Sequence, residues 1–133
     1  MPCYITGHFR ARPTGGKPPE PPLIAPRQAA GIYADLLKGV NPNVEFVILK
    51  AFTMYGIASS DHILKAIAAA IKAKVRLINA SYGGPFEDEA AKKAYEAAGK
   101  AGILVIAAAG HDGKKADEKP SYPAGYELSN NLL

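Results

Sequence analysis

The sequence predicts an α/β fold of three layers, a mainly parallel sheet with helices on both faces. Two observations carry this. Residues 44–52 (VEFVILKAF), 75–79 (VRLIN) and 103–108 (ILVIAA) are short runs with little polar alternation, as strands covered on both faces require. Between them lie segments of helical period, so the order reads as repeated βαβ units.

The elements follow in turn. Arg27–Lys38 has helical spacing, with Ala30, Ile32, Tyr33, Leu36 and Leu37 near one face, Pro26 suited to its first turn and Gly39 to its end. Asn41-Pro42-Asn43 reads as a turn before the strand at Val44–Phe52. Ser59 or Ser60 caps the next helix, with Asp61 at the positive end of its dipole and Ile63, Leu64, Ile67, Ala70 and Ile71 as its buried stripe. The strand Val75–Asn79 leads to a helix from Pro85 or Phe86 to Lys100, with Ala90, Ala94, Tyr95 and Ala98 inward, and then to the strand Ile103–Ala108. In such sheets binding sites lie beyond the carboxyl ends of the strands. Three loops occupy that edge: Thr53–Gly56, Ala80–Pro85 and Ala109–Gly113.

Residues 1–26 differ. The run RARPTGGKPPEPPLIAP holds most of the prolines, which lack the N–H and fix φ, so residues 1–26 are expected to form an arm or linker before a domain at 27–133.

Composition excludes several classes. Hydrophobic residues are 48% and charged residues 21%, ordinary for a globular chain. The net charge of +4 is spread among acids, as in EDEAAKKAYE, and forms no basic stripe, so no nucleic-acid partner is expected. No apolar run approaches the roughly 20 residues that span a bilayer, and no basic-then-apolar leader is seen, so no membrane partner is expected and the compartment is left open. One cysteine, Cys3, makes no internal disulfide. His8, His62 and His111 lack metal-ligand spacing, so neither metal nor other cofactor is expected.

The loops and their order resemble the middle of a subtilisin-like serine peptidase (subtilase, peptidase S8) domain. Val40–Phe52 resembles the family's "GVAPNAKI…KVF", Val75–Pro85 its "VINMSLGGP", Ile103–Gly113 its "VLVVAAAGNDG", and Ser121–Ala124 the "YPA" that follows. The fold would then be an incomplete subtilisin-like domain. The resemblance implies that Ser81, Tyr82 and Gly83 form an edge pairing with the backbone of an extended peptide or protein substrate. It implies that Ala108, Ala109 and Gly110 wall the pocket for the side chain before the scissile bond. His111 falls at the family's oxyanion-hole asparagine, where a donor stabilises the transition state.

The resemblance does not extend to a catalytic triad. The family's "HGTHVAG" aligns with Ala25–Gly31, which puts Ala25 at the histidine. No "DTG" strand precedes it and no "GTSMAAP" helix follows Tyr122-Pro123-Ala124. An alternative place for the family's Gly-His is Gly7-His8, with an insertion after it. Two accounts stay open: a segment of a serine endopeptidase domain, inactive alone, or a non-catalytic peptide-binding relative. A third reading, a nucleotide or phosphate binder, rests on Tyr82-Gly83-Gly84-Pro85 and lacks both glycine fingerprints of that class.

Overall fold

The computed structural model describes residues 5–9, 36–53, 57–110, 113 and 115–128. These contain strands β1 (Ile5–Phe9), β2 (Glu45–Leu49), β3 (Leu77–Ala80) and β4 (Leu104–Ala107), and helices α1 (Ser60–Lys72) and α2 (Glu89–Lys100). The sheet has four strands in the order β2-β1-β3-β4. β3 and β4 are parallel, with Ile78 opposite Val105.

The expected strands β2, β3 and β4 run in one direction, with a helix after β2 and another after β3. β1 was not expected. It lies inside the stretch read as an arm, sits between β2 and β3, and is antiparallel to both. Its five residues precede the proline run, so the argument from proline does not reach them. The prolines at 13–26 and most of the predicted helix at 27–38 lie outside the described residues.

Residues 36–40 are helical, so Gly39 does not end that helix; Leu36 and Leu37, expected inward, are exposed. The turn after it forms as read: the Asn41 side chain accepts from the Asn43 N–H at 3.1 Å, and its carbonyl accepts from Val44 N–H at 3.1 Å.

α1 begins at its expected cap. Ser59 Oγ accepts from the His62 N–H at 3.4 Å, and Asp61 pairs with Lys65 one turn on at 2.6 Å. At its other end Val75 N–H bonds the Ala70 carbonyl and Lys74 N–H bonds Ile71, a Schellman arrangement that places Lys74 at φ +54°. α2 ends the same way, through Ile103 to Ala98 and Gly102 to Gly99, but with glycine at the left-handed position, φ +76°.

α2 starts later than expected. Asp88 takes the cap, its carboxylate accepting from the N–H groups of Ala90 (2.9 Å) and Ala91 (3.1 Å), and Phe86 stays outside the helix, 84% exposed. The Ser60 hydroxyl, then the Ala91 and Ala90 amides, hold the Asp88 carboxyl below its usual range. Its buried stripe is Ala91, Tyr95 and Ala98; Ala90, expected inward, is exposed and Ala94 is half-buried.

α1 and α2 pack on each other and on the same face of the sheet. Ile67, Ala70, Ile78, Ala80, Tyr95, Ile103 and Val105 form the core between them. Ile48 and Ile106, pointing the other way, are 53% and 40% exposed, so neither described helix covers that face.

Two substitutions separate these local terms in a thermal or urea melt. Lys74→Gly should stabilise the chain by about 1 kcal/mol, since an L-residue in the left-handed region costs roughly 1–2 kcal/mol. Asp88→Ala should destabilise it by ~1 kcal/mol through loss of the cap.

Candidate functional site

The carboxyl ends of β2, β3 and β4 lie at one edge, and the chain leaving each builds the site. After β2, Ala51 is buried and Phe52 turns toward the segment that follows β3, its ring 5.1 Å from that of Tyr82. After β3, Ser81 Oγ donates to Asn79 Oδ1 at 3.0 Å. The backbone of Gly84 then forms a two-way bridge with Tyr122, N–H to carbonyl at 3.0 and 2.8 Å. After β4, the Ala108 N–H bonds the Ala80 carbonyl at 3.2 Å, which ties the two loops at their roots.

Tyr82, Gly83 and Gly84 thus form a strip held from three sides. The Tyr82 hydroxyl hydrogen-bonds the Tyr95 hydroxyl. Tyr95 is 1% exposed, and its ring meets Tyr126, which in turn packs at a tilt on Tyr122, centroids 4.9 Å apart. The Tyr126 hydroxyl donates to the Asp88 carbonyl at 3.0 Å, which joins the chain after β4 to the start of α2.

Two clefts flank the strip. One, of about 770 Å³, is lined by Phe52, Ile57, Ile63, Tyr82, Phe86 and Tyr122, with Glu87 and Asp88 also on its lining. The other, of about 800 Å³, is lined by Gly83, Gly84 and Pro85, by Ala109 and Gly110, and by Lys119, Pro120 and Ser121. Gly83 and Gly84 border both. A Cβ on Gly83 would meet Ser121 Oγ at 2.3 Å, so the strip and the 120–122 segment approach as closely as glycine allows. Gly110 stands at φ +98°, a conformation that favours glycine.

Of the residues singled out from the sequence, Tyr82 and Gly83 lie on the strip, and Ala109 and Gly110 line the second cleft together with Gly83. Ser81 bonds inward to Asn79, and Ala108 bonds the root of the strip. His111 lies outside the described residues, as does Ala25. His8 is not brought to this edge: it pairs in register with Phe46, near the start of β2, because β1 runs antiparallel and only its first residue, Ile5, reaches Leu49 and Ala80. The alternative reading of Gly7-His8 as the family's Gly-His is corrected on that ground. Phe52, Phe86, Tyr95 and Tyr126 were not read as site residues. Helical period marked Tyr95 as inward, but nothing local shows which loop its hydroxyl meets.

The site also bears on the phosphate reading. The N-terminus of α2 already has its Ala90 and Ala91 amides engaged by a carboxylate, which an incoming phosphate would have to displace. Among the described residues no group of histidine, cysteine and acidic side chains is arranged to hold a metal ion, and no helix is long and apolar enough to cross a membrane.

Known proteins bear on this arrangement directly. Residues 23–133 match the subtilase family, peptidase S8. The chain belongs to the subtilase family. Its similarity to subtilisin DY of Bacillus licheniformis is 36% identity over 90 residues, covering 67% of this chain and 33% of that protein. To the major intracellular serine protease of Bacillus subtilis (strain 168) it is 37% over 93 residues, 68% of this chain and 29% of that one. An intracellular serine protease of Paenibacillus polymyxa is 34% identical over 90 residues. The subtilase chain therefore spans about a third or less of the length of these relatives.

The buried tyrosine gives a test of the strip. Burial first, then the Tyr82 hydroxyl beside it, pushes the Tyr95 phenol well above its ordinary value. The folded chain keeps a proton there that the unfolded chain sheds. The stabilising contribution is whole below the ordinary tyrosine pKa of about 10 and is lost as pH rises past it, by at most about 1.4 kcal/mol per pH unit. Thermal melts from about pH 9 to 11 should therefore fall more steeply for the native chain than for Tyr95→Phe.

Proposed function

We propose that this chain carries the substrate-binding part of a serine endopeptidase domain, and that it holds an extended peptide without cleaving it alone. One observation carries the reading: Gly83 borders two clefts, and Ala109 and Gly110 share the lining of the second. A peptide backbone laid along Ser81–Gly83 by strand addition would send side chains alternately to either side. The aromatic cleft of Phe52, Tyr82 and Phe86 suits an apolar side chain on one side. The cleft lined by Gly83 and Gly110 receives the other, and its small lining residues leave it open.

Acyl transfer needs a nucleophile, a base within hydrogen-bond reach and a group that orients the base. The subtilase pattern of this sequence has alanine, Ala25, where the family's base stands, and its match to the family's strings stops before the nucleophile's. Hydrolysis by the family's route therefore draws on residues other than those matched here. His111 is proposed as the donor toward a substrate carbonyl at the rim of the second cleft, by its place in the family pattern.

The test pairs binding with turnover. A fluorescent peptide with an apolar residue and an aldehyde end should bind the purified chain, while a chromogenic peptide amide should not be hydrolysed. Ala109→Leu fills the second cleft from an exposed backbone position and should weaken binding about ten-fold or more, ~1.4 kcal/mol, with the melting temperature unchanged. Gly83→Val should do the same, with some loss of stability from its contact with Ser121. Unchanged affinity in Ala109→Leu refutes the cleft. Turnover abolished by a serine-directed phosphonate refutes the claim that the chain binds without cutting.

A further inference from the structure

The two clefts beside the strip differ in charge. The described lining of the first carries Glu87, Asp88 and Glu89 and no lysine or arginine. Lys92 offsets Glu87 alone, from 3.6 Å. The described lining of the second carries one charged side chain, Lys119, and no carboxylate. Its other members are glycines, alanines, prolines and Ser121.

Both polar side chains of the second cleft have donors to spare. Among the described residues Lys119 has no ion-pair partner, and the neighbouring Glu118 pairs with Lys115 at 3.3 Å. The Lys119 backbone is fixed by its N–H, which bonds the Lys115 carbonyl at 3.0 Å. The half-buried Ser121 makes no side-chain hydrogen bond among the described residues. Its Oγ stands where side chains at two glycines would have to enter: a Cβ on Gly83 would collide with it, and one on Gly110 would come to 4.0 Å. Backbone bonds hold it in place, through the bridge of Tyr122 to Gly84 and through the Gly125 N–H to the Ser121 carbonyl at 2.8 Å.

A serine hydroxyl donates one hydrogen bond and a lysine ammonium three. No side chain in this lining offers an ionised acceptor to either. A ligand that brings one answers both, and hydrogen bonds to an ionised group are about twice as strong as neutral ones. A carboxylate on a short apolar stem suits the cleft: its carbons meet alanine and proline, its oxygens Ser121 and Lys119. In the first cleft the same group would meet carboxylates. Repulsion from one cleft adds to attraction by the other in setting specificity.

We propose that the second cleft selects a carboxylate side chain, glutamate above all, of an extended peptide, with Lys119 and Ser121 setting the preference and the acidic first cleft excluding that side chain. The proposal rests on the peptide-binding reading above and adds to it the class of peptide.

The experiment measures binding to the full chain at about pH 7 and low salt. Fluorescent peptides of one apolar sequence, amidated at the C-terminus, end in Glu, Gln, Leu or Lys; a fifth ends in Leu with a free carboxylate. The Glu peptide should bind about five-fold or more tighter than the Gln peptide, and the Lys peptide weakest. The Glu advantage should shrink toward about 1 M salt, where screening acts within roughly 3 Å. Lys119→Met should bring Glu and Gln within about two-fold of each other. Lys93→Met removes the same charge from α2, outside both linings, and should keep the difference. Ser121→Ala should weaken Glu and Gln relative to Leu, and unchanged affinities there overturn its role. With Leu bound, a Glu peptide no tighter than Gln overturns this proposal and leaves the peptide-binding reading standing. So does an advantage that persists in Lys119→Met or is lost equally in Lys93→Met. If a free carboxylate on Leu gains as much as Glu gains over Gln, the group recognised is a chain terminus and the side-chain assignment falls. If no peptide binds, the peptide-binding reading fails and this one with it. If Lys119→Met fails to fold, the salt series on the native chain decides: an advantage that salt leaves unchanged overturns the proposal.

Discussion

A phenol buried to 1% exposure needs a hydrogen-bond partner, and much of the site follows from where Tyr95 finds one. Its place on α2 puts the hydroxyl under the loop after β3, and the Tyr82 hydroxyl meets it. That contact anchors Tyr82, whose ring then packs on Phe52 from the loop after β2. On its other side Tyr95 packs on Tyr126, which reaches Asp88 at the cap of α2 and packs at a tilt on Tyr122. Tyr122 closes the circuit by bridging Gly84. The strip Tyr82–Gly84 is thereby held between aromatic packing beneath and a backbone bridge at its end. Its free surface is the part bordering the two clefts.

The sheet beneath is less uniform than its βαβ pattern suggests. β2, β3 and β4 share a direction, as covered parallel strands do, and α1 and α2 lie together on one face. β1 enters between β2 and β3 from the opposite direction. The consequence for chemistry is one of polarity. The carboxyl edge of the sheet collects the ends of β2, β3 and β4 but only the start of β1, so His8 is carried to the wrong end. The loops after β2, β3 and β4 gather at that edge without a histidine from β1 beside them.

Membership of the subtilase family and the geometry of the strip bear on different parts of function. The family match covers residues 23–133, and the aligned part is about a third or less of the relatives whose names print serine protease. What the described residues assemble is backbone and small side chains between two clefts, with Asp88 occupying the helix N-terminus that an anion would otherwise favour. Peptide and phosphate readings of the same glycine-rich loop separate on that carboxylate.

Elements α1, α2, β3 and β4 were legible in the sequence because their signals are local. A serine before an acid and an apolar stripe sets a helix start; an apolar run of β-branched residues sets a strand. The start of α2 was misplaced by about a turn because two candidates compete there, and Asp88 wins by satisfying two backbone amides that neither Pro85 nor Phe86 satisfies. β1 was missed because ITGHF has no strong strand pattern of its own; its hydrogen bonds come wholly from strands far along the chain. Ser81–Gly83 and Ala108–Gly110 could be singled out by family likeness, but that Gly83, Ala109 and Gly110 line one cleft could not. By itself the sequence determined the βαβ order, the cap of α1 and the family, since these depend on neighbours within a few residues or on matched strings. Only the tertiary structure decided the direction of β1, the meeting of Tyr82 with Tyr95 and the sharing of Gly83 by two clefts. Each of these joins residues distant in the chain, where no local preference of either partner specifies the other.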